Sequence, residues 1–372
     1  MGRQPKIAVL VSFSGEGGVE RMLLNLCEGM LQYGCRVDLL PVKSRSEHLS
    51  DNLPASLNVH RLAASHTLSS LPALVRYLRT EVPDALLAAK DRANQVAIIA
   101  SAIARVPTRV VVRMGTTVSA ALAGKSHLRK LAWYLPMRLL YRRADAIITV
   151  SRGVARDMTR ITGIQSSAMR VVQNPVIRDQ IFERAREPVS HPWLRARNEP
   201  VILGIGRLTR QKDFPTLIRA FAQVRKKLAC RLIILGEGDD RRALEDLASQ
   251  LSVKNTVDMP GFVDNPYAYL SRASLFVLSS AWEGSPNVLT EALALGVPSV
   301  STDCPSGPNE ILQNGVIGRL VPVGNPNSLA AAIQETLSNP PEENLSKGAV
   351  RQYTVELSTR RYLDILLNRG LD

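Results

Sequence analysis

Short apolar segments alternate with helical patterns along almost the whole of this chain, in two successive series. The first comprises Lys6 to Ser12, Arg36 to Pro41, Ala85 to Ala89, Arg109 to Arg113 and Ala146 to Val150; the second comprises Val201 to Ile205, Arg231 to Leu235, Thr256 to Met259, Leu275 to Leu278 and Pro298 to Ser301. Near-continuous apolar runs are strands covered on both faces, and the helices between them supply the cover, so parallel, doubly wound α/β sheets follow. Two series in 372 residues, more than one core usually serves, predict two domains. The expected division is an N-terminal Rossmann-like domain over residues 1–176, a second such domain over 177–352, and a terminal helix within 353–372 that packs back on the first domain. The polar stretch Ile177 to Glu199, rich in Arg and carrying Pro188 and Pro192, reads as the hinge. Ligands of such sheets sit beyond the carboxyl ends of the strands, and two facing domains make a cleft for a donor and an acceptor.

The longest apolar run, Val96 to Ala104, has nine residues against the roughly 18 of a spanning helix. Ile7 to Val11 is too short for the core of a signal peptide, so a cytoplasmic location is expected. Cys27, Cys35, Cys230 and Cys304 show no metal-ligand spacing and read as buried thiols. The net charge of +14 is uneven: residues 1–180 hold 25 Lys/Arg against 12 Asp/Glu, and residues 181–372 hold 22 against 21. Within the basic half, Leu128, Leu131, Leu135 and Leu139 recur at helical spacing among Lys125, Arg129, Lys130, Arg138, Arg142 and Arg143, with Trp133 and Tyr134. Such a segment suits an anionic membrane surface, where each cation contributes about 1 kcal/mol. A helix packing its leucine face on its own core is the other reading, and Pro136 is expected to split the segment in two. No helix-turn-helix, zinc-finger or RNP-like motif accompanies the charge, which argues against nucleic acid as a partner.

The chemistry concentrates in the second half. Glu283 and Glu291 are separated by seven residues across a strand-to-helix junction, Glu283-Gly284-Ser285-Pro286-Asn287-Val288-Leu289-Thr290-Glu291. Ser285 reads as the N-cap and Pro286 as the first helical residue, leaving the N–H groups of Asn287, Val288 and Leu289 for an anion. A sugar hydroxyl at one carboxylate, a ribose at the other and a diphosphate between them fit that offset; for either Glu alone, a capping or solvated role is the plain alternative. Gly204 to Phe214 closes an earlier strand with Arg207 and Lys212, a donor fork and a mobile point charge able to neutralise a diphosphate leaving group. Asp213 reads as the N-cap of the next helix. In the first half, Gly17 and Gly18 sit where a strand passes into a helix and permit close approach of a phosphate or sugar; the surrounding GEGGVE is neither GxGxxG nor a P-loop. Gly236-Glu237-Gly238 and Gly261-Phe262-Val263 read either as nucleobase contacts, through Gly238, Phe262 and Val263, or as plain turns.

Assembled in order, WEGSPNVLTEALALGVPSVSTDCPSGPNEIL, GIGRLTRQKDFPTLIRAF, ILGEGDD, MPGFVDNP, VVQNPV and GEGGVER resemble the retaining glycosyltransferases of the GT-B fold, family 4, whose mark is the EX7E element. The resemblance implies two facing Rossmann-like domains. It implies that Glu283 contacts the donor sugar, that Glu291 holds the ribose, and that Arg207 and Lys212 bind the diphosphate near Gly17 and Gly18. The amides of Asn287, Val288 and Leu289 then touch phosphate and sugar. Many members carry a His after the strand matching Val110 to Val112; here the run is Arg113-Met114-Gly115-Thr116, so no catalytic His is carried over, and Arg113 and Lys90 stand as acceptor-side candidates. The family reaction proceeds on one face of the sugar, with the leaving phosphate oxygen taking the acceptor proton. No cofactor or metal is implied beyond the nucleotide sugar as co-substrate. The segment DCPSGPNEIL is similar to members using UDP-sugars. The resulting expectation is a hexosyl or N-acetylhexosaminyl transferase acting on a lipid-linked, lipopolysaccharide, capsule or O-antigen acceptor at the inner face of the plasma membrane. A GT-B enzyme making a soluble disaccharide or polyglucan, and a nucleic-acid or lipid-binding module on a degenerate GT-B fold, remain the alternatives.

Overall fold

The computed structural model describes residues 3–12, 17–42, 53–62, 64, 66–196, 198–340 and 348–369. The chain forms two compact units, Met1–Val176 with Tyr353–Asp372, and Ile177–Gln352. The first holds a parallel sheet of β1 (Lys6–Ser12), β2 (Arg36–Val42), β3 (Asn58–Val59), β4 (Ala85–Ala89), β5 (Arg109–Met114), β6 (Ala146–Thr149) and β7 (Met169–Val171), in the order β3-β2-β1-β4-β5-β6-β7. The second holds β8 (Val201–Ile205), β9 (Arg231–Leu235), β10 (Val257–Gly261), β11 (Leu275–Leu278), β12 (Ser299–Thr302) and β13 (Arg319–Val321), in the order β10-β9-β8-β11-β12-β13, again all parallel. In each sheet the chain works outward from one central strand and then returns to its other side. The order therefore reverses between β1 and β4 and between β8 and β11, which is where doubly wound sheets open a crevice.

The strands are buried because both faces carry helices. On one face of the first sheet, Ala8, Leu10, Leu86 and Val112 pack with Leu74, Val96 and Met158; on the other, Ile7, Val9, Leu87 and Val111 pack with Met22, Leu26, Tyr362 and Leu366. The last two belong to the terminal helix Val355–Leu366, which lies in the first unit. In the second unit, Phe214, Leu217 and Phe221 join Leu232, Ile234, Val277 and Val300.

The stretch Ile177 to Glu199 carries helices Asp179–Arg186 and Pro192–Ala196 and falls within the second unit. Ile181 and Ala185, one helical turn apart, are buried, and Ser271 and Arg272 donate to the Ala185 carbonyl at 2.8 and 3.1 Å. Pro136 does not split its segment, since one helix runs His127–Leu140. A proline there releases the carbonyl of Ala132, and Ala132 is exposed, so water takes that bond and the helix continues.

All four cysteines are buried. Burial pushes the Cys27 and Cys304 thiols up to about 12 and Cys230 up to about 11, from an ordinary 9.0. These groups keep their protons in the folded state, so their share of stability is complete below about pH 9 and is lost as pH climbs through the folded values. The native protein is expected to resist an aromatic disulfide reagent at pH 8, with all four thiols reacting only on denaturation; rapid labelling of the native chain contradicts this packing.

Candidate active site

The loop after β11 delivers Glu283, and the loop after β8 delivers Lys212, so the two meet across the reversal of strand order in the second sheet. Glu283 is 7% exposed. Its Oε1 accepts from Lys212 Nζ at 2.6 Å and from Ser280 Oγ at 2.7 Å. The ammonium offsets the carboxylate's buried charge and the hydroxyl fixes its orientation, so the group presents a preset acceptor rather than a free one. The two loops are tied by backbone as well: Ala281 N–H donates to the Gln211 carbonyl at 2.8 Å, Gln211 Nε2 to the Trp282 carbonyl at 3.0 Å, and Ser279 Oγ to the Lys212 carbonyl at 2.8 Å. From beyond β12, Ser306 Oγ donates to the Gly284 carbonyl at 2.9 Å. Gly307, with φ +93°, lies where a Cβ would come within 2.7 Å of Pro286 Cδ. Farther along the helix Asn287–Ala294, Glu291 is likewise 7% exposed, and its Oε1 accepts from the Tyr267 hydroxyl at 3.2 Å.

The junction differs from expectation by one residue. Pro286, extended at ψ 105°, is the N-cap, and Asn287 is the first helical residue. Ser285 precedes a proline, which disfavours the helical region, so helical geometry starts later. Leu289 N–H donates to the Pro286 carbonyl at 3.1 Å and leaves the set of amides open to a ligand. For Val288 N–H no backbone acceptor is found among the described residues.

The other expected residues fall around this pair. Arg207 is exposed, with no side-chain partner among the described residues. Asp213 occupies the N-cap position in a left-handed conformation (φ 46°, ψ 46°), and its carboxylate accepts from the Thr216 hydroxyl at 2.7 Å, while burial pushes its pKa up. Gly236 N–H donates to the Gly261 carbonyl at 2.8 Å, joining the two loops that carry Gly238, Phe262 and Val263. Phe262 is exposed and Val263 half-buried.

In the first unit, Gly17 is the N-cap and Gly18 the first residue of helix Gly18–Gln32; Ser14 to Glu16 lie outside the described residues. Lys90, just after β4, donates from Nζ to Glu20 Oε1 at 2.6 Å and to the Ser12 carbonyl at 2.7 Å. A Lys–Glu pair thus stands at the strand-order reversal of each sheet. Arg113 is not placed to touch a ligand: it is 2% exposed, with Nε donating to the Tyr362 hydroxyl at 3.0 Å and a terminal nitrogen to Asn174 Oδ1 at 2.6 Å. It fastens the terminal helix to β5.

The basic helix also turns out differently. Trp133 is half-buried against the core, with the Arg92 guanidinium 5.7 Å from its ring centre, and Lys130 is half-buried. Lys125, Arg129, Arg138, Arg142 and Arg143 are exposed. So are Leu128, Leu131, Leu135 and Leu139, which overturns packing of the leucine face on the chain's own core.

Ser280, Gln211, Ser306, Tyr267 and Glu20 were not among the expected residues. Ser280 stands three before Glu283, a spacing at which a hydroxyl and a carboxylate can meet locally, and Glu20 lies inside the GEGGVER segment. Tyr267 is 24 residues from Glu291 and gave no local signal.

Comparison with known proteins bears on the family and the fold. Residues 186–352 match the family described as Glycosyl transferases group 1, and residues 17–175 match the Glycosyl transferase 4-like domain. The N-acetylgalactosamine-N,N'-diacetylbacillosaminyl-diphospho-undecaprenol 4-alpha-N-acetylgalactosaminyltransferase of Campylobacter jejuni is 29% identical over 345 residues, 90% of each chain. The lipopolysaccharide core biosynthesis glycosyltransferase LpsE of Rhizobium meliloti is 26% identical over 96% of this chain and 98% of its own. Among solved structures, HepE of Anabaena in complex with UDP superposes with a TM-score of 0.75 at 19% identity, over 98% of this chain and 100% of that one. Sheet topology, the two carboxylates and these matches place the chain in the group 1 glycosyltransferases of the GT-B fold.

Proposed function

We propose that this glycosyltransferase moves a hexose or N-acetylhexosamine from a UDP-sugar to a lipid-linked glycan acceptor, with retention and without a metal, at the inner face of the plasma membrane. The observation that carries the reading is the Lys212–Glu283 pair at the carboxyl edge of the second sheet. Glu283 accepts donor-sugar hydroxyls. Lys212 swings from Glu283 toward the diphosphate and, with Arg207, neutralises the charge that builds as the C1–oxygen bond breaks. Glu291, oriented by Tyr267, receives the ribose; Gly238, Phe262 and Val263 flank the base; the Asn287 and Val288 amides lie toward the phosphates. Glu283 is engaged by the sugar hydroxyls, so the leaving diphosphate oxygen takes the acceptor hydroxyl proton while the new C1–oxygen bond forms on the same face and the C1–oxygen bond to the diphosphate breaks. In the first unit, Lys90 and Glu20, a second donor–acceptor pair suited to sugar hydroxyls, are the acceptor-side candidates.

Support for the acceptor class comes from the names of the relatives. One is named for a diphospho-undecaprenol-linked acceptor and another for lipopolysaccharide core synthesis, and the UDP complex of HepE makes UDP the first nucleotide to try. The decisive assay incubates the protein with membrane lipid extract and a panel of UDP-hexoses and UDP-N-acetylhexosamines in the presence of EDTA. Anomeric proton NMR of the product should show the donor's own α configuration. A β product removes retention, and activity that vanishes with the chelator removes metal independence.

A further inference from the structure

Helix His127–Leu140 is held on one side and bare on the other. Met137 and, just past its end, Tyr141 are 0% exposed, and the Tyr141 hydroxyl donates to Asp91 Oδ1 at 2.9 Å. Arg138 Nε donates to the Ile161 carbonyl at 2.6 Å. These ties fix the rotation of the helix about its axis. Leu128, Leu131, Leu135 and Leu139 then point outward, 78%, 43%, 47% and 63% exposed. At about 100° per residue the four fall within an arc of roughly 80°, on the side opposite Met137, and the row runs most of a helix about 20 Å long. Four leucines aligned in this way are not the single exposed apolar residues that every surface carries.

The charge beside the row identifies what covers it. Exposed Arg129 and Arg138 lie on its two flanks, Lys125 just before the helix, and Arg142 and Arg143 just after it. A protein partner would need an acidic rim around an apolar groove. An anionic bilayer supplies both features over a continuous surface: headgroups for the cations and acyl chains for the leucines. No helix among the described residues is long and apolar enough to cross a membrane, so this one would lie on the surface.

We infer that the exposed leucine row of helix His127–Leu140 inserts into the interface of an anionic lipid membrane, with Lys125, Arg129, Arg138, Arg142 and Arg143 on the headgroups and with Trp133 and Lys130 turned away from the lipid. Docking rests on the lipid-linked reading for its purpose, yet vesicle binding needs no donor, so the two can fail separately.

The test floats the full chain with vesicles of phosphatidylcholine alone or with roughly one third phosphatidylglycerol, in low and high salt. Strong binding is expected only to the anionic vesicles, weakening as salt rises. The triple variant Leu128→Ser, Leu135→Ser, Leu139→Ser should lose roughly tenfold or more in vesicle affinity. Its melting temperature and its affinity for UDP should stay at the wild-type values, because the changed side chains are exposed and lie in the other unit from Glu283. Lys125→Gln with Arg129→Gln should weaken binding to the anionic vesicles and flatten its salt dependence, the remainder being held by Arg138, Arg142 and Arg143. Equal vesicle binding by the triple variant overturns the inference, as does wild-type protein that ignores every vesicle. Sedimentation showing a stable dimer that the serine variant breaks would assign the row to a second copy of the chain and overturn it too.

Discussion

Glu283→Gln is expected to lower kcat for sugar transfer by about 10³-fold, equivalent to roughly 4 kcal/mol of transition-state stabilisation, with the fold intact. Glutamine keeps the shape and an oxygen for the Ser280 hydroxyl, but it removes the charge that Lys212 faces at 2.6 Å. Two consequences diverge. Donor-sugar hydroxyls lose an ionised acceptor, and charge-assisted hydrogen bonds are about twice as strong as neutral ones, so turnover collapses. The lysine loses its counter-ion and is left for the nucleotide, so affinity for UDP should hold or rise. Lys212→Met breaks the pair from the other side: it strands a mostly buried carboxylate, lowers both UDP affinity and turnover, and destabilises the second unit. Steady-state kinetics with calorimetric UDP titration separates the patterns. Unchanged turnover in Glu283→Gln, or parallel loss of UDP affinity in both variants, removes Glu283 from the donor site.

Glu283 and Lys212 were legible in the sequence as separate site candidates because each sits in a local motif at a strand end; their ion pair was not, since it arises only where the sheet brings the two strand ends together. Strands such as Ala85–Ala89 were legible for a related reason: a parallel strand buried on both faces carries apolar side chains at every position. Asn58–Val59 and Arg319–Val321 carry no such signature, being two and three residues long and partly exposed at sheet edges. Helical periodicity found the leucine row but not the direction it faces. A helix with a second apolar stripe, here Trp133, Met137 and Leu140, can rest on either one, and only packing selects. The role of Arg113 depends on Tyr362, 249 residues away, and no spacing rule reaches that far. In the same way Ile177 to Glu199 reads as a hinge because, among the described residues, only Ile177, Ile181, Ala185, Val189 and Leu194 are buried apolar side chains, too few to outweigh the surrounding charge.

Gly236→Ala should produce the largest loss of stability, about 3–5 kcal/mol in the second unit, or a fall of roughly 10 °C in its melting temperature. Gly236 follows β9 with φ +134°, a conformation that costs a residue with a side chain about 1–3 kcal/mol. A Cβ there would lie 2.1 Å from the carbonyl oxygen and 2.9 Å from the carbonyl carbon of Gly206. Both atoms are backbone, so no rotamer change relieves the contact, and the strand ends themselves must part. They are held on both sides: Gly206 N–H donates to the Leu235 carbonyl at 2.9 Å, and Leu208 N–H to the Glu237 carbonyl at 2.9 Å. Arg207 and Lys212 ride on the same loop, so UDP affinity should fall together with stability. Gly324→Ala provides the contrast within the same unit. Its φ is +69°, but no atom lies within 4 Å of the added Cβ, which leaves a conformational cost of about 1 kcal/mol. Differential scanning calorimetry of the two variants decides: a melting temperature in Gly236→Ala no lower than in Gly324→Ala means that the loops bearing Gly206 and Gly236 do not meet at this distance, and the placement of Lys212 against Glu283 would have to be redrawn.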